Sequence, residues 1–598
     1  MLLKKLVVFV CCLLPSCFVF AQRSYHPHSV LATGTWFKII VKDAGIYKID
    51  LAFLSTLGVN TSNLSSASIR LYGNGGYMLP EDNGIQRPDD LIENSIQVID
   101  GGDGIINGPD YILFYAPGPD EWLKDSANKK FIHRKNLYSD VSYYYLTVSG
   151  TGKRIPASPG ALSPSVSISS FDERYFHELD TVNFLSSGKE WYGEEFTDAP
   201  GKSLSARFDK IFPGLLTNEP VTVISECVAR SAGNPSLFKL LVNNQLVQQL
   251  MIPATGTAVD DPFANQTKEI SSFNAVQPEL SFTYTFMPGS FNAQGWLNWF
   301  EVFCRRQLSM TNSNQLLFRD WRSVGNSSGE YVISNAQSGL QVWDVTDPLS
   351  PVKMTGDLQG GEYRFVNDCS ALREYIAFNN TAYLLPLVAG KIENQDLHDA
   401  IAAEYLIVTP PEFISEAQRL AQFHLTKNNL RSKVVTTSQV FNEFSSGTPD
   451  PTAIRDFVKM YYDKFTTATD SLKYLLLFGS ASFDYKNRVL NNTNLVPAYE
   501  SSNSLDPLST YTSDDFFGFL EDHENINSQL LINTLDIGIG RVPERTQEQA
   551  KNYVDKVEAY YAKESFGPWR NNLTFIADDE DNNLHLQDAE VITQTAAQ

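Results

Sequence analysis

The sequence predicts a multidomain protein in which N-terminal β-sandwich-like modules precede an incomplete α/β domain with a mostly parallel sheet. Three observations carry this reading. Residues 22 to about 390 hold short β-branched and aromatic runs divided by Gly, Pro, Asn and Asp turn signals, with little helical periodicity. From about residue 395, near-continuous apolar runs alternate with amphipathic patterns, as βαβ units require. A length of 598 residues also exceeds what one hydrophobic core normally organises. The expected divisions are an export segment at 1–21, a β-rich domain at 22–155, a second β-rich region at 156–394 and the α/β domain at 395–598.

Lys4 and Lys5 form a positive n-region, residues 6–20 are almost wholly apolar, and Val19-Phe20-Ala21 supplies short residues before Gln22. This is the pattern of a cleaved secretory signal, and its apolar run is short for a bilayer span. Leu14-Pro15-Ser16-Cys17 offers a lipoprotein signal as a rival, made poorer by Pro15 and the apolar residues after Cys17. No later segment is apolar enough for a transmembrane helix, so the chain is expected to be exported. Cys11, Cys12 and Cys17 lie in the signal; the remaining Cys227, Cys304 and Cys369 are too few for a disulfide framework and are expected as buried thiols.

In the β-rich part, Trp36-Phe37-Lys38-Ile39-Ile40-Val41 and Ile46-Tyr47-Lys48-Ile49 read as strands around a turn at Asp43-Ala44-Gly45. Ile69-Arg70-Leu71-Tyr72 runs into Gly73-Asn74-Gly75-Gly76, a hairpin signal. Further strands are expected at 111–115, 143–148, 221–225, 238–242, 280–286 and 340–345, and the Ser/Pro-rich stretch 156–169 reads as a linker. In the α/β part, strands are expected at 404–409, 433–435, 474–478, 535–540 and 573–577. Helices are expected after Pro410-Pro411, over 452–465, and over 546–562 with Thr546 as N-cap. A helical pattern beginning near His585 runs to Gln598 with no C-cap signal, polar tail or closing strand, which reads as part of a longer protein.

With 47 Lys and Arg against 69 Asp and Glu, the net charge is −22, which argues against nucleic acid as a partner. There is no Gly-x-Ser-x-Gly elbow, no His-Glu-x-x-His and no phosphate loop, which excludes the usual serine hydrolase, zinc peptidase and P-loop chemistries. His398, His424 and His585 read as surface or helix-cap residues. Chemistry in open α/β sheets collects at the carboxyl ends of strands. Here those ends carry Gly479-Ser480-Ala481-Ser482-Phe483-Asp484, Ser513-Asp514-Asp515, Gly540-Arg541-Val542-Pro543 and Asp578-Asp579-Glu580-Asp581. Among Arg541, Asp514 and Asp515, an Arg–Asp pair would brace the strand ends.

The runs at 404–409, 474–487, 513–518, 536–543 and 569–590 together resemble the catalytic domain of the gingipain-type cysteine peptidases, caspase-like enzymes of clan CD. The N-terminal half, with Gly45-Ile46-Tyr47-Lys48-Ile49-Asp50 as its most telling run and further matches at 110–118 and 341–346, is similar to the branch that acts as sortase of the type IX secretion system. The resemblance implies a cell-surface or outer-membrane cysteine endopeptidase. It would cleave C-terminal sorting domains from secreted protein cargo beside outer-membrane secretion partners, with a Cys nucleophile and a His acid/base. This chain has no His-Gly pair and no cysteine after Cys369, so the resemblance places both groups beyond these residues. It implies that Glu580 orients the catalytic imidazole, where a solvated helix N-terminus is the plainer reading. It implies structural calcium, with 578–581 and the loop holding Asp100, Asp103, Asn107 and Asp110 as places to look, and no other cofactor. Ser480 departs from the acidic residue the family often has there. The alternatives are a non-catalytic β-rich binding scaffold or a general secreted gingipain-like protease.

Overall fold

The computed structural model describes residues 23–160, 162–528, 532–578 and 580–596. The expected export segment, Asp579 and Gln598 lie outside the described residues.

The architecture is mostly β; among the described residues the α-helices other than the short Leu51–Leu57, and the all-parallel sheet, lie in the C-terminal part. Trp36–Val41 lies between Ser142–Val148 and Leu387–Ile392 in a five-stranded antiparallel sheet that continues through Ile69–Tyr72 to Glu93–Asn94. Gly45–Asp50, Tyr111–Ala116 and Gln97–Ile99 form a second sheet. Ile39, Val41, Ile49, Ile112, Phe114 and Leu146 join both in one core. Asp43-Ala44-Gly45 is therefore a corner between sheets, not a hairpin turn. Its flanking strands do not pair with each other, because their apolar faces meet in the core. The glycine run after Ile69–Tyr72 likewise makes no hairpin: the chain enters a loop that returns only at Glu93–Asn94. Gly76 has φ 86° there, and a Cβ would collide with the Ser142 side chain, so glycine is required by both backbone and space.

The next module packs a sheet of Ser170–Glu178, Gln294–Gln307, Pro220–Arg230 and Asn265–Asn274 on one of Ser205–Ile211, Glu279–Met287, Ser236–Val242 and Gln245–Ile252. Their inward residues alternate along each strand and place Val223, Phe238, Phe282, Tyr284 and Phe300 in the core. A third module pairs Ser328–Ile333 with Glu362–Asp368, and Gln315–Arg319 with Glu374–Phe378 and Gln341–Asp344. The Ser/Pro-rich stretch is not a free linker. Ala157 bridges Lys353, and Val166–Ile168 adds a parallel strand beside Ser328–Ile333, because the open edge of that sheet offers its backbone groups.

The C-terminal sheet is parallel throughout, in the order Ser432–Thr436, Tyr405–Thr409, Tyr474–Phe478, Gly538–Val542. Thr437–Phe444 and Pro451–Lys464 cover one face through Val440, Phe444, Ile454, Phe457 and Tyr461. Ile414–Asn428 and Gln547–Tyr561 cover the other through Ala417, Leu420, Ala550 and Val554. Burial on both faces explains why these strands read as unbroken apolar runs. Thr546 caps its helix in a capping box with Gln549. The last strand sits slightly downstream of 535–540. The expected strand 573–577 is not a strand: residues 572–578 are irregular, with Leu573 and Ile576 exposed. An apolar run becomes a parallel strand only when a sheet edge pairs with it, and this one pairs with neither outer strand.

Candidate functional site

The carboxyl edge of the parallel sheet is organised by Arg541, one residue from the end of the strand Gly538–Val542. Its Nε and Nη2 donate to Asp514 Oδ2 and Oδ1, both at 2.7 Å. Its Nη1 donates to the carbonyls of Gly479 at 2.9 Å and Val496 at 2.7 Å. One guanidinium thus ties two strand exits and the loop between them, and of the two acids that could brace it the partner is Asp514. Asp515 lies beside it with its backbone N–H on Ser513 Oγ.

The loop after Tyr474–Phe478 is pinned from within. Buried Ser480 donates to the Thr493 carbonyl at 2.7 Å, so this hydroxyl is a structural clasp. Asp484, fully buried, accepts from the backbone N–H of Lys486 and Val489 at 3.1 and 2.6 Å. Fully buried Glu500 accepts from Gly188 N and Thr512 Oγ1, at 2.9 and 2.6 Å, and so anchors this edge on the preceding β module.

Glu580 is the first residue of the helix Glu580–Ala596 and is exposed; no described group hydrogen-bonds its carboxylate. Asp581, Asn582 and Asn583 follow with φ of 52°, 58° and 62°, a left-handed run that Asp and Asn tolerate best after glycine. Asp581 pairs with exposed His585 at 3.3 Å. A groove of about 430 Å³ lies alongside, lined by Phe575, Ile576, Asp578, His585, Asp588 and Ile592. Among the described residues the acids of 578–581 do not converge on a common point. In the other acidic loop, Asp100 and Asp103 accept from the N–H groups of Gly102 and Ile105, and Asp110 accepts from that of Asn107. These are turn-closing bonds. The described residues that do bring three ligand atoms together, within 4.8 Å of one another, are His28, Asp396 and Asp399.

His398 is not a surface residue. Its side chain is fully buried, stacked 5.1 Å from Phe444, with Nδ1 2.7 Å from Glu443 Oε2 and Nε2 3.4 Å from Asp89 Oδ2. Burial opposes its charged form, but the bonds to Asp89 and Glu443 outweigh burial and raise its pKa to about 9. Neither partner is adjacent in sequence, so no local signal marked it. His424 closes its helix, with Nδ1 3.0 Å from Asn428 Oδ1. Cys227, Cys304 and Cys369 are all buried and unpaired, and burial raises each thiol above its ordinary value. None of the three is a thiolate nucleophile in this fold.

Residues 398–598 match the model of peptidase family C25. The chain is similar to the crystal structure of dimeric latent PorU from Porphyromonas gingivalis, at 25% sequence identity and a TM-score of 0.78, over 95% of this chain and 53% of that one. The chain thus spans about half the length of that relative. Two carbohydrate-binding modules align with small parts of it. One is CBM36 in complex with calcium and xylotriose, at 9% identity over 22% of this chain and 98% of that one. The other is a family 35 module from Clostridium thermocellum, at 11% identity over 24% and 98%. Both have a TM-score of 0.13, which supports no inference. No curated protein matches the sequence.

Proposed function

With residues 398–598 carrying a peptidase family C25 domain, we propose that this chain is the forward part of a gingipain-like cysteine peptidase that works as a sortase of the type IX secretion system. The observation that carries the reading is the extent of the PorU likeness. It runs over 95% of the chain, through the β modules as well as the peptidase domain, which favours the sortase branch over a general secreted protease. On this reading the protein is exported to the cell surface and acts on secreted cargo at its C-terminal sorting domain. A thiolate attacks the scissile carbonyl and an imidazole protonates the departing amine. The resulting thioester is open to capture by an amine instead of water. Both groups are supplied from outside residues 1–598, Glu580 supports the imidazole, and the Arg541–Asp514 brace sets the strand ends on which they act. Calcium, where it binds, is structural.

Deleting the gene in its own host tests this. Mass spectrometry of exported proteins should then find sorting domains still attached. Cargo processed at unchanged C-termini would overturn the sortase role.

Buried thiols favour a scaffold role for these residues taken alone. Purified 23–598 is expected to hydrolyse no peptide, and its three cysteines should react with a thiol probe only after denaturant is added. Turnover that rises with purity and is lost to iodoacetamide under native conditions would contradict this.

A further inference from the structure

A second site is built far from the peptidase sheet in sequence, where the N-terminal sheets meet the third β module. Residues from seven separate segments enclose a cavity of about 360 Å³, among them Tyr77, Tyr115, Lys124, Arg174, Arg319 and Glu374. Its charged side combines three cations with one carboxylate. Arg174 Nη2 is 2.7 Å from Glu374 Oε2, Lys124 Nζ is 2.9 Å from Oε1, and Arg319 Nε is 3.7 Å from Oε2. Of the other glutamates of the lining, Glu121 pairs with Arg134, and Glu173 is shared between Arg306 and, at 3.8 Å, Arg319 Nη1. Lys42 and Asp43, both exposed, offset each other. Asp120 accepts from Asn136 N at 2.8 Å and is faced by Lys486 and Lys135, both outside this trio, while burial raises its pKa.

Positive charge is therefore in excess beside Glu374, and hydrogen-bond donors are in excess too. The Arg319 side chain is 3% exposed, yet its Nε–H has no acceptor; Arg174, 11% exposed, leaves Nη1 unpartnered. Buried N–H groups of charged side chains are seldom left unmade, because each forfeits its hydration without return. Tyr77 and Tyr115 add phenol rings to the wall, and burial keeps both hydroxyls protonated and able to donate. Planar guanidinium donors backed by aromatic walls suit an oxyanion carried on a small body.

We propose that this cavity binds a small ligand bearing a carboxylate or phosphate, with its oxygens on Arg174 and Arg319 and its body against Tyr77 and Tyr115. The site is independent of the peptidase reading, since no residue of 398–598 lines it. Isothermal titration of the purified chain with inorganic phosphate and with glucuronate, at matched ionic strength and with glucose as the uncharged control, tests it. One anion should bind at unit stoichiometry, and which of the two binds identifies the source of the oxyanion. Arg174→Gln should weaken that binding at least tenfold and Tyr77→Phe about fivefold. Should Arg174→Gln fail to fold, Tyr77→Trp, which fills the cavity while leaving the ion cluster whole, must abolish binding instead. No heat from either anion, or wild-type affinity in the substituted chains, would reduce the cluster to a structural ion network and overturn the proposal.

Discussion

His398→Ala is expected to destabilise the protein by about 3 kcal/mol near neutral pH, among the largest single-residue effects in the chain. The carboxylate of Glu443 is fully buried, and His398 is its cationic partner. Gln395 Nε2 and Leu397 N also donate to that carboxylate, at 2.8 and 3.0 Å, but neither carries charge. Removing the imidazolium leaves a buried anion without a counter-charge. A pKa raised from 6.5 to about 9 corresponds to about 3 kcal/mol at most, at about 1.4 kcal/mol per unit. The same shift fixes the pH dependence. A raised folded-state pKa means that the contribution is complete below about pH 6.5 and is lost as pH rises through about 9. His133, held by Glu178 at 2.7 Å and Glu301 at 2.8 Å, has its pKa raised to about 9 and works in the same window. Thermal melts at pH 6, 7.5 and 9 should show a falling midpoint in the wild type and a shallower fall in His398→Gln. A midpoint that is flat across this range would contradict both ion clusters.

The contrast between His398 and its surroundings shows what the sequence could and could not reveal. Strands at 405–409 and 474–478 were legible because burial on both faces leaves an unbroken apolar run in the sequence itself. The Thr546 cap was legible because capping is settled within four residues. The Arg541 brace was partly legible: the strand-end rule brings its loop to that of Asp514 and Asp515 before any coordinates exist, but does not choose between the two acids. His398, Glu443 and Asp89 followed no such rule: they meet only because the segment near residue 89 folds back onto the start of the C-terminal α/β domain. The same limit hid Leu387–Ile392, which closes the first sheet against Trp36–Val41. It also made 573–577 look like a strand, since apolar alternation reports the potential to pair and not the presence of a partner. The cavity beside Glu374 draws on seven separate segments and left no pattern in any of them.

Arg541→Ala is expected to cost about 3 kcal/mol and to loosen the loop at 479–497. A guanidinium has five N–H donors, and here they go to both oxygens of Asp514 and to the carbonyls of Gly479, Val496 and, at 3.4 Å, Pro497. The side chain is 13% exposed and that of Asp514 25%, so the pair is neither a solvated surface bridge nor a dry interior one. Its worth should fall between those limits. Lysine distinguishes charge from geometry. Arg541→Lys keeps the cation but offers three donors from one nitrogen in place of five on a planar fork, so it cannot reach Asp514 and the carbonyls together and about half the loss should remain. Asp514→Asn should cost less, about 1–2 kcal/mol, because the carbonyl bonds of Arg541 survive it. In the double variant Arg541→Ala with Asp514→Asn, the losses should fall short of additive by about 1–2 kcal/mol, the signature of a direct pair. Limited proteolysis gives the second readout: cleavage within 479–497 should accelerate in Arg541→Ala ahead of global unfolding, since that loop loses three carbonyl anchors at once. A lysine variant as stable and as protease-resistant as the wild type would show that the charge alone suffices and that the fork does not hold the strand ends in register.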